Sequence, residues 1–151
     1  SSGISEPLPV AETFTFKEEA TGVSLSDVAS LHNLVTVVDA AAIFEQLGSV
    51  DSLCDRGWQE VEGDERTVAH LLIDQIEFAN LILINKKDLV TKKQLGSIKA
   101  FLRKANHRAE IVCTKNSVLE PSVLLATSRF SMDEAGQHRQ WLTEAREHEH
   151  T

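Results

Sequence analysis

A chain of 151 residues, 42% apolar and 25% charged, has the makeup of one globular domain, long enough to bury roughly two-thirds of the surface it would expose unfolded. Its formal net charge of −8, with no basic block, argues against binding a phosphate backbone, so nucleic acid is not an expected partner. No apolar run approaches a membrane span and no signal peptide is present, and two isolated cysteines, Cys54 and Cys113, form neither a CxxC pair nor a disulfide framework, which points to a reducing, cytoplasmic setting.

In chain order, residues 5–16 open as a helix start, with Ser5 as a cap and Pro7 in the first turn, where a missing N–H costs nothing. Residues 17–32 are polar and irregular around Gly22. The β-branched run 34–40, LVTVVDA, is too short for a helix and reads as a buried strand. AAIFEQL follows as a short helix ending at Gly48, and 49–63 is a polar loop. The clearest helix is 64–79, which places Val68, Leu71, Leu72, Gln75, Ile76 and Ala79 on one face. NLILIN, 80–85, is the second strand. Residues 91–106 form an amphipathic helix with Thr91 as cap, and AEIVCT, 109–114, is the third strand. The rest reads as a helix over PSVLLATSRF, a break and a polar helical tail.

Strand, helix, strand, helix, strand predicts an α/β fold, a parallel sheet with helical crossovers. Unbroken apolar strands predict that both faces of the sheet are covered. Right-handed crossovers put the three strands side by side in chain order, all carboxyl ends on one rim. Ligands bind on that rim in such folds. The three strands end there in Asp39, in Asn85 with Asp88, and in Thr114 with Lys115 and Asn116. The helix 64–79 is expected to bury Leu72 and Ile76 against Val37 and Leu83. The outer edge of 34–39 is expected to be open, or filled by a strand from outside this segment.

The run Asn85-Lys86-Lys87-Asp88 follows a buried strand with no turn residue between. This is the pattern that reads guanine. N1–H and the 2-amino group are adjacent donors that one carboxylate, Asp88, accepts together, and a charged acceptor strengthens both bonds. Adenine offers neither donor, so Asp88 would be left unpaired beside it. Asn85 can donate to the N7/O6 edge, and the stem of Lys86 can lie along the ring with its ammonium in water. The bland alternative is a polar helix start with Asp88 as its cap. Thr114, Lys115 and Asn116 can reach guanine O6 or be a plain polar loop. Asp39 can orient a phosphate loop or a Mg²⁺-bound water, or cap the helix after it.

These residues resemble the CobW family of GTPases, the metallochaperone branch that includes zinc-regulated activators and is related to UreG and HypB. Residues 1–7, SSGISEP, are similar to the family's Glu-Thr-Ser-Gly-Leu-Ala-Asp-Pro stretch, starting one residue late. VTVVDA and DQIEFANLILINKKDL are close to its usual wording. The resemblance implies a P-loop NTPase fold of the SIMIBI type, with Gly3 as the switch glycine whose N–H senses the γ-phosphate. It implies GTP and Mg²⁺ in the intact protein, and delivery of Zn²⁺ or Co²⁺ to a client protein. None of the seven glycines opens a G-x-x-x-x-G-K-[ST] loop and no Cys-x-Cys-Cys motif occurs; in the family both lie upstream of the switch. The expected organisation is therefore the guanine-binding half of a GTPase domain over 1–130, lacking its phosphate-loop half, with 131–151 as a tail toward a further domain. Such a chain alone is expected to be inactive. The rival from another class is a nucleotide-free interaction module.

No metal site is expected within the chain. His138, His148 and His150 stand in a polar tail without a cysteine or third neighbouring ligand, which reads as a solvated tail, with weak zinc binding by His148 and His150 in an extended segment as the alternative. Cys113 reads as a small core residue, and Trp58 and Trp141 as packing or docking residues.

Overall fold

The computed structural model describes residues 6–43, 45, 64–125 and 127–135, with side chains apart from 64–70 and 135. Helix α1 spans Pro7–Glu12, with Pro7 at its first position and Glu6 as N-cap; Ser5, the expected cap, lies outside the described residues. Gly22 takes the left-handed conformation (φ 69°) in a turn closed by an antiparallel bridge between Lys17 and Ser24. Strand β1 is Val35–Asp39, helix α2 Asp64–Glu77, β2 Leu81–Asn85, helix α3 Lys92–Ala105, β3 Glu110–Cys113 and α4 Met132–Ala135. Ala41 and Ala42 form a turn where the short helix was expected to begin, and Ile43 and Glu45 are helical; Phe44, Gln46 and Leu47 lie outside the described residues, as does most of the polar tail.

The sheet is parallel throughout, in the order β1-β2-β3. Central β2 buries Leu81, Ile82, Leu83 and Ile84. The register sets Val38 opposite Ile84 and Asp39 opposite Asn85. One face carries Val38, Ile82 and Ile84 against Ile76 of α2 and Ile98 and Leu102 of α3. Thr36, on that same face, donates its hydroxyl to the Gln75 carbonyl. Helix α3 places Leu95, Ile98, Phe101, Leu102 and Ala105 toward this core, at the three- and four-residue steps of a helix face. Thr91 caps it as expected: its Oγ1 accepts from Gln94 N–H at 3.1 Å while Gln94 Oε1 accepts from Thr91 N–H at 2.9 Å.

Three expectations need correction. β1 is not covered on both faces among the described residues: Val35 is 38% and Val37 60% exposed, alternating with buried Thr36 and Val38. The β-branched run is indistinguishable from that of a strand buried on both sides, because strand propensity does not say what packs on a face. For the same reason α2 does not bury Leu72 and Ile76 against Val37 and Leu83, which share the other face. Ile76 and Leu72 pack on the opposite face, with Val38 and Ile82. Third, PSVLLATSRF is not a helix. Among its described residues only Pro121–Val123 forms a 3-10 turn, and Ser128 takes a left-handed conformation (φ 49°) that a right-handed helix does not admit.

One carboxamide joins three elements at the far end of the sheet. Buried Asn106 follows α3, and its Nδ2 donates to the carbonyls of Ile76, Glu77 and Ala79 at 2.8–3.0 Å. Its Oδ1 accepts from Arg108 N–H at 3.1 Å and Ala109 N–H at 3.0 Å. The end of α2, the end of α3 and the entry to β3 thus share one side chain. Asn106→Ala should lower unfolding free energy by about 3 kcal/mol, because several buried backbone groups lose their partner together. Thr91→Ala, the loss of an exposed cap, should cost only about 1 kcal/mol. Urea denaturation of both variants checks the ranking, and an Asn106→Ala loss no larger than that of Thr91→Ala would contradict the tie.

Candidate functional site

The parallel register brings the sequence-predicted residues to one rim. Ladder bonding continues past the strand ends: Ala40 N–H donates to Asn85 O at 3.0 Å, Thr114 N–H to Ile84 O at 2.8 Å, and Lys87 N–H to Thr114 O at 3.2 Å. Asp39, Asn85 and Thr114 are therefore neighbours by backbone alone.

Asn85 is the hub of this rim. Its Oδ1 accepts from the Thr114 hydroxyl at 3.2 Å and from Ser117 N–H at 2.9 Å. A backbone N–H only donates, so the atom facing Ser117 must be the amide oxygen. That leaves Nδ2, which makes no hydrogen bond among the described residues, as a spare pair of donors. Thr114 itself is buried. Beyond it the chain turns through two consecutive left-handed residues, Asn116 (φ 52°) and Ser117 (φ 55°), closed by Val118 N–H on Lys115 O at 3.1 Å. Lys115 is exposed, and its side chain has no partner among the described residues. Ser117 escaped sequence reasoning, since its contribution is a backbone N–H that no side-chain pattern announces.

Lys86 is left-handed as well (φ 59°, ψ 35°) and heads a 3-10 turn over Lys87–Leu89, with Leu89 N–H on Lys86 O at 2.9 Å. Asp88 sits exposed in that turn without a hydrogen-bond or ion-pair partner among the described residues. The bland reading, in which Asp88 caps a helix, is not what the chain does: Thr91 holds that role. What remains is a bare carboxylate, three residues along the strand-to-helix loop from an amide whose donors are spare.

Asp39 does cap the turn after β1, its Oδ1 accepting from Ala41 N–H at 2.9 Å and Ala42 N–H at 3.3 Å. Its Oδ2 accepts from Lys86 Nζ at 2.6 Å, a contact set by register that sequence inspection misses. Gly3 lies outside the described residues, and among those described no cluster of three His, Cys, Asp or Glu could hold a metal. No helix there is long and apolar enough to cross a membrane.

The family model for the CobW/HypB/UreG nucleotide-binding domain matches residues 1–113. The chain belongs to this family. Its three-stranded parallel sheet with flanking helices is part of the α/β fold of a P-loop GTPase. It is also 42% identical, over 146 residues, to "Zinc-regulated GTPase metalloprotein activator 1" of Dictyostelium discoideum. That alignment takes in 97% of this chain but 31% of the relative, so the chain spans about a third of the length of the curated protein it matches. No solved structure matches. Asn85, Lys86 and Asp88 fall inside the region of the CobW match, while Thr114 to Ser117 fall just past its end.

The Lys86 ammonium, helped by the two N–H groups of the turn, holds the Asp39 carboxyl below the ordinary carboxylate range, against a smaller opposing effect of burial. A carboxyl lowered on folding stabilises the folded state above its unfolded pKa, and that contribution fades as pH falls through the folded value. The pair is half exposed, so the amount is small. A carbon-detected NMR titration should therefore put the Asp39 midpoint below 3.8, the ordinary aspartate value, and Lys86→Met should move it upward. An unchanged midpoint in that variant would mean the ammonium is not the cause.

Proposed function

We propose that the rim binds the base of a guanine nucleotide, and that the chain is the base-reading half of a GTP-hydrolysing metallochaperone. The observation that carries this reading is the division of labour in Asn85. Its oxygen is committed to Thr114 and Ser117, which aims its spare donors at a hydrogen-bond acceptor, and guanine offers two, N7 and O6, on one edge. The unpartnered Asp88 carboxylate then accepts N1–H and the 2-amino group on the opposite edge. The stem of Lys86 lines one face of the base, and Thr114 and Lys115, with the backbone of their turn, approach O6. Gly3 is assigned to the γ-phosphate by family resemblance.

In this reading residues 1–130 form the guanine-binding half and 131–151 lead toward a further domain. The phosphate loop, and residues that would hold a Mg²⁺ to offset phosphate charge, would lie in an upstream segment. The outer edge of β1, bare among the described residues, with Val35 and Val37 exposed beside it, supports the docking of a strand from that segment, because soluble proteins avoid leaving such an edge open. The cargo is Zn²⁺ or Co²⁺, handed to a metal-requiring client protein in the cytoplasm. Among the described residues no group of three His, Cys, Asp or Glu could hold it.

The base assignment is tested by a change of base. In the protein carrying both halves, Asp88→Asn should weaken GTP by about a hundredfold or more, as expected when a site built on charged hydrogen bonds loses them. Xanthosine triphosphate should suffer far less, because xanthine replaces the 2-amino donor with a carbonyl to which an amide can donate. Equal losses for both nucleotides would remove Asp88 from the base site. The 151-residue chain alone should not turn over GTP, since it has no phosphate loop; activity that tracks the protein peak through purification would contradict the division into halves.

A further inference from the structure

We propose that Asp39 is a positioning residue of the base site, anchoring Lys86 across the rim so that the lysine stem is in place as a wall of the pocket before a nucleotide arrives. The proposal rests on the guanine reading above and deepens it, because it adds a residue from β1 to a site otherwise built on β2 and β3.

Four observations carry it. The register sets Asp39 directly opposite Asn85, so the carboxylate stands beside the residue that follows the amide hub. Its two oxygens are divided: Oδ1 is held by the N–H groups of Ala41 and Ala42, and Oδ2 faces Lys86 Nζ at 2.6 Å. A carboxylate fixed on one side by backbone is a defined target and not a rotor. Next, Lys86 is left-handed, a conformation that glycine takes freely and other residues take at a cost. Finally, the two side chains are 49% and 34% exposed. Pairs exposed to this degree contribute little to stability, so the contact is poorly explained as a structural brace.

What it does accomplish is to reduce the freedom of a long side chain. A lysine at an open rim samples many rotamers, and each one lost on binding opposes affinity. Asp39 removes that loss in advance. A base laid over the stem also shields the pair from water, which strengthens the attraction. Nucleotide and ion pair should therefore reinforce one another.

The test separates the two oxygens. Asp39→Asn keeps a carbonyl oxygen for Ala41 and Ala42 but turns an amide NH₂ toward the ammonium, a donor facing a donor. Lys86→Met keeps an apolar stem and loses the ammonium. GDP, with ADP as control, is titrated into the protein carrying both halves and its variants, and binding is followed by amide NMR shifts over residues 85–89. Wild type should prefer GDP. Each single variant should weaken GDP by roughly three- to tenfold, in line with a partly shielded ion pair. The double variant should be no weaker than Lys86→Met alone, and the urea midpoint of Asp39→Asn should stay near wild type. GDP binding of wild-type strength in either single variant, or losses that multiply in the double, would overturn the proposal while leaving the guanine site standing. If Asp39→Asn fails to fold, Lys86→Met alone still decides. A wild-type chain that treats GDP and ADP alike would instead overturn the guanine reading beneath it.

Discussion

A strand with a parallel neighbour on each side has little freedom, and β2 is such a strand. Leu81 to Ile84 are buried, and the ladders on both edges fix where the chain must leave the sheet. Asn85 therefore emerges at one place and in one direction, flanked by the ends of β1 and β3. Every contact of the rim follows from that constraint. The loop after β2 needs no turn residue before it, because the aliphatic run is anchored and the polar run begins where the sheet stops.

Two asparagines at opposite ends of this sheet show how one side-chain chemistry serves two purposes. Asn106 is buried and fully used, with its amine on three carbonyls and its oxygen on two N–H groups. A carboxamide in that state is architecture, since nothing is left for a ligand. Asn85 is half used: the oxygen is committed and the amine is spare among the described residues. The satisfied half positions the unsatisfied half. The same division recurs in Asp39, one oxygen on backbone and the other on Lys86. Groups divided in this way distinguish the rim from the saturated end, which holds the sheet together.

Much of this was legible in the residues. The three strands are short aliphatic runs bounded by polar groups, and helical periodicity between them leaves parallel pairing as the simple solution. Thr91 and Gln94 have the spacing of a capping box, and the structure uses them as one. The rim cluster of Asn85, Lys86, Asp88 and Thr114 followed from strand ends alone. Other features depend on distance in space and leave no local trace. The exposure of Val37 depends on what covers a face, not on the strand itself. Asn106 looks like an ordinary helix end until three elements converge on it. The Asp39–Lys86 contact requires the register, and Ser117 contributes a backbone group. PSVLLATSRF misled because apolar content resembles a helix, whereas Pro121 and the left-handed Ser128 settle the backbone.

The separations along the chain carry a consequence for the order in which this rim comes into being. Asn85 and Thr114 are 29 positions apart, and between them lies α3 with its own cap. Leu34 and Asn80, which join β1 to β2, are 46 apart. Loop-closure entropy separates the two by only about 0.4 kcal/mol, and each connection carries a 14-residue helix, α2 in one and the capped α3 in the other. β2, α3 and β3 form the more local unit, able to assemble around Ile98 and Leu102 with short-range contacts, the kind that form fast. β1, closed by the longer loop, is the costlier addition to that unit, and Asp39 reaches the rim only with it.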